Sequence, residues 1–224
     1  MFSLMRIAYA CLLLGVATLV LASAFAVAQG SQRWYAKGYY NAWSNGVSGS
    51  VRTYANTPSD NNHFTAIFAV IIFPDGDWLE VGYYQGGGIV CGLQYYPTWF
   101  TDQQAFGQYS CTPITNRFPS TGADYPYQIY DVPGTAQWNG VINYGLVKTT
   151  TFGYNYGYGY GMGEANGDSN QMNGWFKSMQ YGRIRGGTTI YWYDWPSLSA
   201  YQDYPYYVTV ISRKEFKTAS STHP

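Results

Sequence analysis

From Val47 onward, apolar and polar residues alternate in short runs, each closed by Gly, Pro, Asn or Asp. GVSGSVRTYA, HFTAIFAVIIF, WLEVGYYQ, YPYQIYDV, TAQWNGVINYG, LVKTTTFGYNYGYGYG, WFKSMQYGRI, TTIYWYDW and YYVTVISRKEF all read as strands. The turn PDGD, Pro74 to Asp77, joins two of them, so residues 64–84 predict a β-hairpin. No sustained helical period appears beyond the first residues, and QMNGWFKSMQYG has room for one helical turn at most. Many short strands at this spacing predict an all-β fold, a two-sheet antiparallel β-sandwich of jelly-roll or lectin-like type, with a barrel as the alternative. The stretch FGYNYGYGYGMGE puts Phe152, Tyr154, Tyr156, Tyr158 and Tyr160 on one parity, with Glu164 at the end of the row. Parity alone leaves open which side of that strand is buried.

The chain of 224 residues opens on MFSLMR and an uncharged apolar stretch that ends in Ala26-Val27-Ala28. A short basic head, an apolar run and an A-x-A site describe a secretory signal peptide cut after Ala28, with an uncleaved anchor as the alternative. The expected organisation is a leader over 1–28, a polar lead-in over 29–45, the sandwich over 46–217 and a frayed tail over 218–224. Export, to the medium or a periplasm, makes a disulfide between Cys91 and Cys111 the natural reading, with two buried thiols as the alternative.

Formal net charge is zero with no basic stripe, which argues against nucleic acid as a partner. Once the leader is cut, no membrane segment remains, and the expected species is a monomer. Aromatics make up 20% of the chain, including 25 tyrosines, which suits a wet, aromatic sheet surface.

Elimination narrows the chemistry. The only histidines are His63 and His223, and no nucleophile elbow, P-loop or dinucleotide fingerprint is present. Neither a metal site nor a cofactor is expected. Carboxylates are the available tools, and glutamates are scarce: Glu80, Glu164 and Glu215. Glu215, in SRKEF, reads as a solvated ion pair. Glu80 shares parity with Trp78 and Tyr84, while Leu79 and Val81 point the other way as core. Glutamate is depleted in strands and costly to bury, so an acid on an aromatic face invites a chemical role. Two carboxyls in one hydrophobic groove cannot both ionise cheaply, which separates a base from an acid. Such a pair suits amide hydrolysis, and equally glycoside hydrolysis.

Three patches resemble the neprosin family of glutamic peptidases: WLEVGYY around Glu80, YGMGEANGDSNQMNGWFKSMQYGRI around Glu164, and NNHFTAIFAVI with His63. The order matches over roughly residues 45–211. Tyr83 stands where that family has tryptophan, and Asn173-Gly174-Trp175 stands where it has G-S-G. The resemblance implies a β-sandwich with a groove, and a dyad of Glu80 and Glu164 that hydrolyses peptide bonds, often at proline, through an activated water. Trp78, Tyr84, Tyr158, Tyr160 and Gln171 are the candidate substrate-binding residues beside that dyad. The leading reading is an exported acid peptidase acting on polypeptide at about pH 3 to 5, where carboxyl groups titrate. The alternatives are a non-catalytic carbohydrate- or peptide-binding module and a two-carboxylate glycoside hydrolase.

Overall fold

The structure, a computed structural model, describes residues 32–87 and 91–220. The expected leader, Cys11 and the last four residues lie outside the described residues.

The first strands are β1 (Trp34–Ser44), β2 (Gly46–Arg52), β3 (Phe64–Ile72), β4 (Trp78–Gly86) and β5 (Gln94–Ala105). They are followed by β6 (Gln108–Ile114), β7 (Asp124–Asp131), β8 (Gln137–Ile142), β9 (Gly145–Thr151) and β10 (Gly157–Ala165). The last are β11 (Asn173–Arg185), β12 (Thr189–Asp194), β13 (Ser199–Gln202), β14 (Tyr206–Ser212) and β15 (Glu215–Ser220). The first sheet runs β13-β1-β10-β3-β4-β5-β6 and the second β14-β15-β11-β2-β7-β8-β9, with β12 paired to β11. All pairings are antiparallel. The molecule is therefore an all-β, two-sheet antiparallel sandwich.

The predicted hairpin is present, with Phe64 opposite Gly86 and Ile72 opposite Trp78. Four local expectations change. The segment with room for a helical turn is strand from Asn173 onward, in β11, with a register irregularity between Lys177 and Gln180 where Ser178 has a φ of 52°. The polar lead-in is largely β1, which pairs with β10 inside the first sheet. The expected tail begins inside β15, which runs to Ser220. The run QYYPTWFTDQQAFGQYSCTPI, passed over in the pattern, is the β5–β6 hairpin. Two features mask it: Pro97 inside β5, and a two-residue turn of Phe106 (φ 53°) and Gly107 (φ 74°), where Asn-Gly is the usual signal.

The core lies between the sheets. Ile67, Ala69, Ile71, Leu79, Val81 and Tyr83 come from the first sheet, and Val47, Val51, Ile129, Trp138, Phe176 and Phe216 from the second. The glycine side of β10 faces this core. Gly161 lies opposite Gly38 of β1. A Cβ on Gly161 would meet the Phe176 ring at 2.6 Å, and one on Gly38 would meet Phe216 at 2.6 Å. The paired glycines form a hollow that receives these two rings, stacked 4.6 Å apart.

The five-aromatic row divides where the chain crosses from β9 in the second sheet to β10 in the first, because the period of two ends in the crossing. Phe152 turns inward and packs on Phe73, their ring centroids 4.1 Å apart. Tyr158 and Tyr160 alone extend along the outer face of β10.

Candidate active site

The outer face of the first sheet carries a second apolar cluster of Phe64, Ala66, Phe68, Val70, Tyr84, Phe100 and Met162. Alternation sets Glu80, Asp102 and Glu164 on this same face, because Leu79, Val81, Thr101 and Ala165 take the opposite parity. Register then lays the face out in rows across the strands. One row runs Tyr39, Tyr160, Val70, Glu80, Asp102 and Cys111. Another runs Tyr35, Glu164, Ala66, Tyr84 and Thr98. Glu80 and Glu164 stand two strands apart and are offset by the four residues between Ala66 and Val70 of β3, with Phe68 on the diagonal between them.

Glu164 is buried, at 7% exposure, and Asp102 nearly so at 9%; Glu80 keeps partial exposure. Arg33, just before β1, forms an ion pair with Glu164 and lies over the Phe64 ring at 4.9 Å. Tyr109 of β6 donates its hydroxyl to Asp102 Oδ2 at 2.7 Å. The other oxygen of Asp102, Oδ1, is buried without a partner.

Burial raises the proton affinity of all three acids, since removal from water penalises the charged form. Glu80 is pushed well above the ordinary carboxylate range, first by burial, then by the charges of Asp102 and Glu164, with Arg33 opposing. Burial pushes Asp102 up to about 7, against the pull of the Tyr109 hydrogen bond. Glu164 is raised by burial and drawn back by Arg33. The site thus contains an acid that holds its proton, Glu80, and one that a cation helps to ionise, Glu164. Tyr35 and Tyr109 are both pushed above the ordinary phenol range, first by burial, so they stay neutral donors.

The five expected binding residues fall in different places. Trp78 lies on the outer face, two residues from Glu80, with its ring 6.3 Å from that of Tyr109. Tyr160 is a cross-strand neighbour of Val70, in the row of Glu80 rather than that of Glu164. Tyr158 packs on Trp43 with ring centroids 3.8 Å apart. Tyr84 is fully enclosed and is not a contact surface: its hydroxyl donates to the carbonyls of Cys91 and Gly92, both at 3.1 Å, and so anchors that loop. Gln171 is bound to the chain around Thr57 and is a structural fastener: its backbone N–H donates to the Thr57 carbonyl at 2.9 Å, its side-chain Oε1 accepts the Thr57 N–H at 3.4 Å, and its carbonyl accepts the Thr65 hydroxyl at 2.9 Å.

A disulfide joins Cys91 to Cys111, with the Cα atoms 5.1 Å apart, and Cys111 is the cross-strand neighbour of Asp102. His63 Nδ1 lies 2.8 Å from Asp60 and 3.0 Å from Ser59 Oγ, at the head of β3. Glu215 accepts the Trp175 indole N–H at 2.8 Å rather than forming a solvated ion pair. An open depression of about 700 Å3 between Tyr54, Asn173, Tyr207 and Lys217 belongs to the second sheet, and no carboxylate lines it.

Arg33, Tyr35, Asp102 and Tyr109 were not singled out in the sequence. The one signal available was the parity of TWFTDQQ, which sets Asp102 on the side of Phe100.

No protein-family model matches the chain, and no curated protein does. The neprosin resemblance therefore rests on the three patches alone. Among solved structures, scytalido-glutamic peptidase bound to a transition-state analogue inhibitor is 11% identical, with a TM-score of 0.53, covering 84% of this chain and 98% of that one. A second structure of that peptidase, with a peptide-based analogue, has a TM-score of 0.48 at 12% identity, covering 85% of this chain and 98% of that one. SCP-B of the eqolisin peptidase family, bound to the tripeptide Ala-Ile-His, has 0.43 at 12% identity, over the same shares. At these identities the first likeness establishes a shared sandwich fold.

Proposed function

We propose that the protein is a peptidase of the glutamic type, in which Glu164 and Glu80 act as base and acid. The observation that carries this reading is the pair of scarce glutamates on one sheet face, Glu164 buried and paired with Arg33, and Glu80 half-buried and raised by the charges of Asp102 and Glu164. A fold shared with scytalido-glutamic peptidase supports it. In this scheme ionised Glu164 takes a proton from water while the hydroxyl attacks the scissile carbonyl carbon. The protonated Glu80 hydrogen-bonds the carbonyl oxygen, stabilising the charge that develops there, and then gives its proton to the departing amine as the C–N bond breaks. The products are a carboxylic acid and an amine. Exchange with solvent then returns a proton to Glu80 and removes one from Glu164. Trp78, Tyr158 and Tyr160 give an extended chain flat apolar contacts, on which proline rings stack well. The leader pattern supports export of the mature enzyme.

Because burial raises both acids above the ordinary carboxylate range, the two limbs of the pH–rate profile lie higher than the pH 3 to 5 expected from free carboxyls. The test is cleavage of a denatured protein from pH 3 to 8 by the wild type, Glu80→Gln and Glu164→Gln, with a glucan plate beside it. Each variant should lose about 10²- to 10⁴-fold in kcat/KM while keeping its circular dichroism. Undiminished cleavage by either variant rules out the dyad, and glucan clearing without proteolysis would move the two acids to glycoside chemistry.

A further inference from the structure

Building on the Glu80–Glu164 reading, we infer that Asp102 is a positioning residue of the site: its carboxylate, pinned by Tyr109, holds the proton on Glu80 and keeps that group the acid of the pair. Asp102 and Glu80 are directly opposite in the β4–β5 ladder and project from the same face. Side chains so placed stand about 5 Å apart at Cβ, within reach of a shared hydrogen bond. Tyr109 occupies one oxygen of Asp102 at 2.7 Å. The other, Oδ1, is buried with no partner in a residue only 9% exposed. A buried carboxylate oxygen left bare is costly, and the group directly opposite in register that could satisfy it is the Glu80 carboxyl proton.

A purely structural aspartate that serves only as an acceptor for Tyr109 needs one oxygen and no charge. The surroundings of Glu80 favour more. Facing it are Asp102 from β5, Glu164 from β10, Arg33 ahead of β1, and the neutral phenols Tyr109 of β6 and Tyr35 of β1. Burial and the charge of Glu164 lift both members of the pair and Arg33 draws both down, but Asp102 is also lowered by hydrogen bonds, from Tyr109 and from the Gln103 backbone. Asp102 therefore ionises first, and its charge then resists loss of the second proton, the one on Glu80. The arrangement retains a general acid as pH climbs through neutrality.

The sequence has only three glutamates, so 13C-labelled glutamate gives three carboxyl signals, assignable with Glu80→Gln and Glu164→Gln. Followed against pH, the Glu80 midpoint should fall by about one unit or more in Asp102→Asn, the size expected for loss of an adjacent buried charge. Tyr109→Phe should move it in the same direction by less, and provides the reading if Asp102→Asn does not fold. The alkaline limb of kcat/KM should move down with the midpoint. A Glu80 midpoint unmoved in whichever of these variants folds overturns the inference. The labelled titration needs no turnover, so absence of proteolysis by the wild type would count against the peptidase reading alone.

Discussion

Arg33 shows how much one residue outside the reacting pair can set. It stands at the start of β1, and its guanidinium pairs with Glu164 while favouring ionisation of Glu80 and Asp102 as well. Replacing it with glutamine leaves Glu164 with burial alone, so its proton affinity must rise. If Glu164 is the base, the acidic limb of the pH–rate profile moves to higher pH by about one unit, and kcat/KM at the acid end falls about tenfold. A pH–rate series on Arg33→Gln measures this, and an unmoved acidic limb would remove Glu164 from the role of base. Glu80 and Glu164 were legible in the sequence because they are rare and share parity with aromatics. Arg33 was not, because nothing within QGSQRWYAKG signals that a strand begins there and ends beside a glutamate far along the chain.

At the scale of elements, the paired glycines of β1 and β10 decide how closely the sheets approach. The Gly-Tyr alternation in β10 is a division of labour: glycine admits the rings of the facing sheet, and tyrosine covers the outside. Gly161→Ala drives a methyl into Phe176 at 2.6 Å and should destabilise by about 1–3 kcal/mol, measured by denaturant unfolding. Partial recovery in Gly161→Ala with Phe176→Leu would locate the strain in that hollow. The disulfide constrains the other end of the outer face. It spans 20 residues, so reduction or Cys91→Ser with Cys111→Ser should cost about 3 kcal/mol in the chain-entropy model. The pairing was legible because, of three cysteines, only Cys91 and Cys111 lie beyond the leader pattern that contains Cys11. Its placement against Asp102 was not, because the β5–β6 hairpin lacks the usual turn residues.

For the whole molecule, the buried acids make stability depend on pH in a stated direction. Asp102 rises to about 7 and Asp131 to about 6 in the folded chain, both through burial, above the ordinary aspartate value of about 3.9. A carboxyl raised on folding contributes its full stability below the unfolded value and loses it as pH climbs to the folded one. Stability should therefore fall between about pH 4 and 7, by on the order of 4 kcal/mol from Asp102. Asp60, Asp124 and Asp194 are lowered, by hydrogen bonds from the backbone at Asn62, from Arg52 and from Lys214 respectively, but these are exposed groups whose opposing effect is small. Thermal melts at pH 4 and 7.5 should differ by about 10 °C, with the acid sample the more stable, and Asp102→Asn should narrow the gap.

The sequence by itself determined the all-β class, the central hairpin and which side of β4 carries Glu80, because alternation and turn residues act over a few neighbours and leave a local record. It also marked the two glutamates, because their scarcity is a property of composition. Only the tertiary structure decided that β1 borders β10, that the glycine side of β10 is the buried one, and that Arg33, Asp102 and Tyr109 gather beside the glutamates. Those outcomes depend on strand order and on the register between strands distant in the chain, which long-range packing selects and no local pattern encodes.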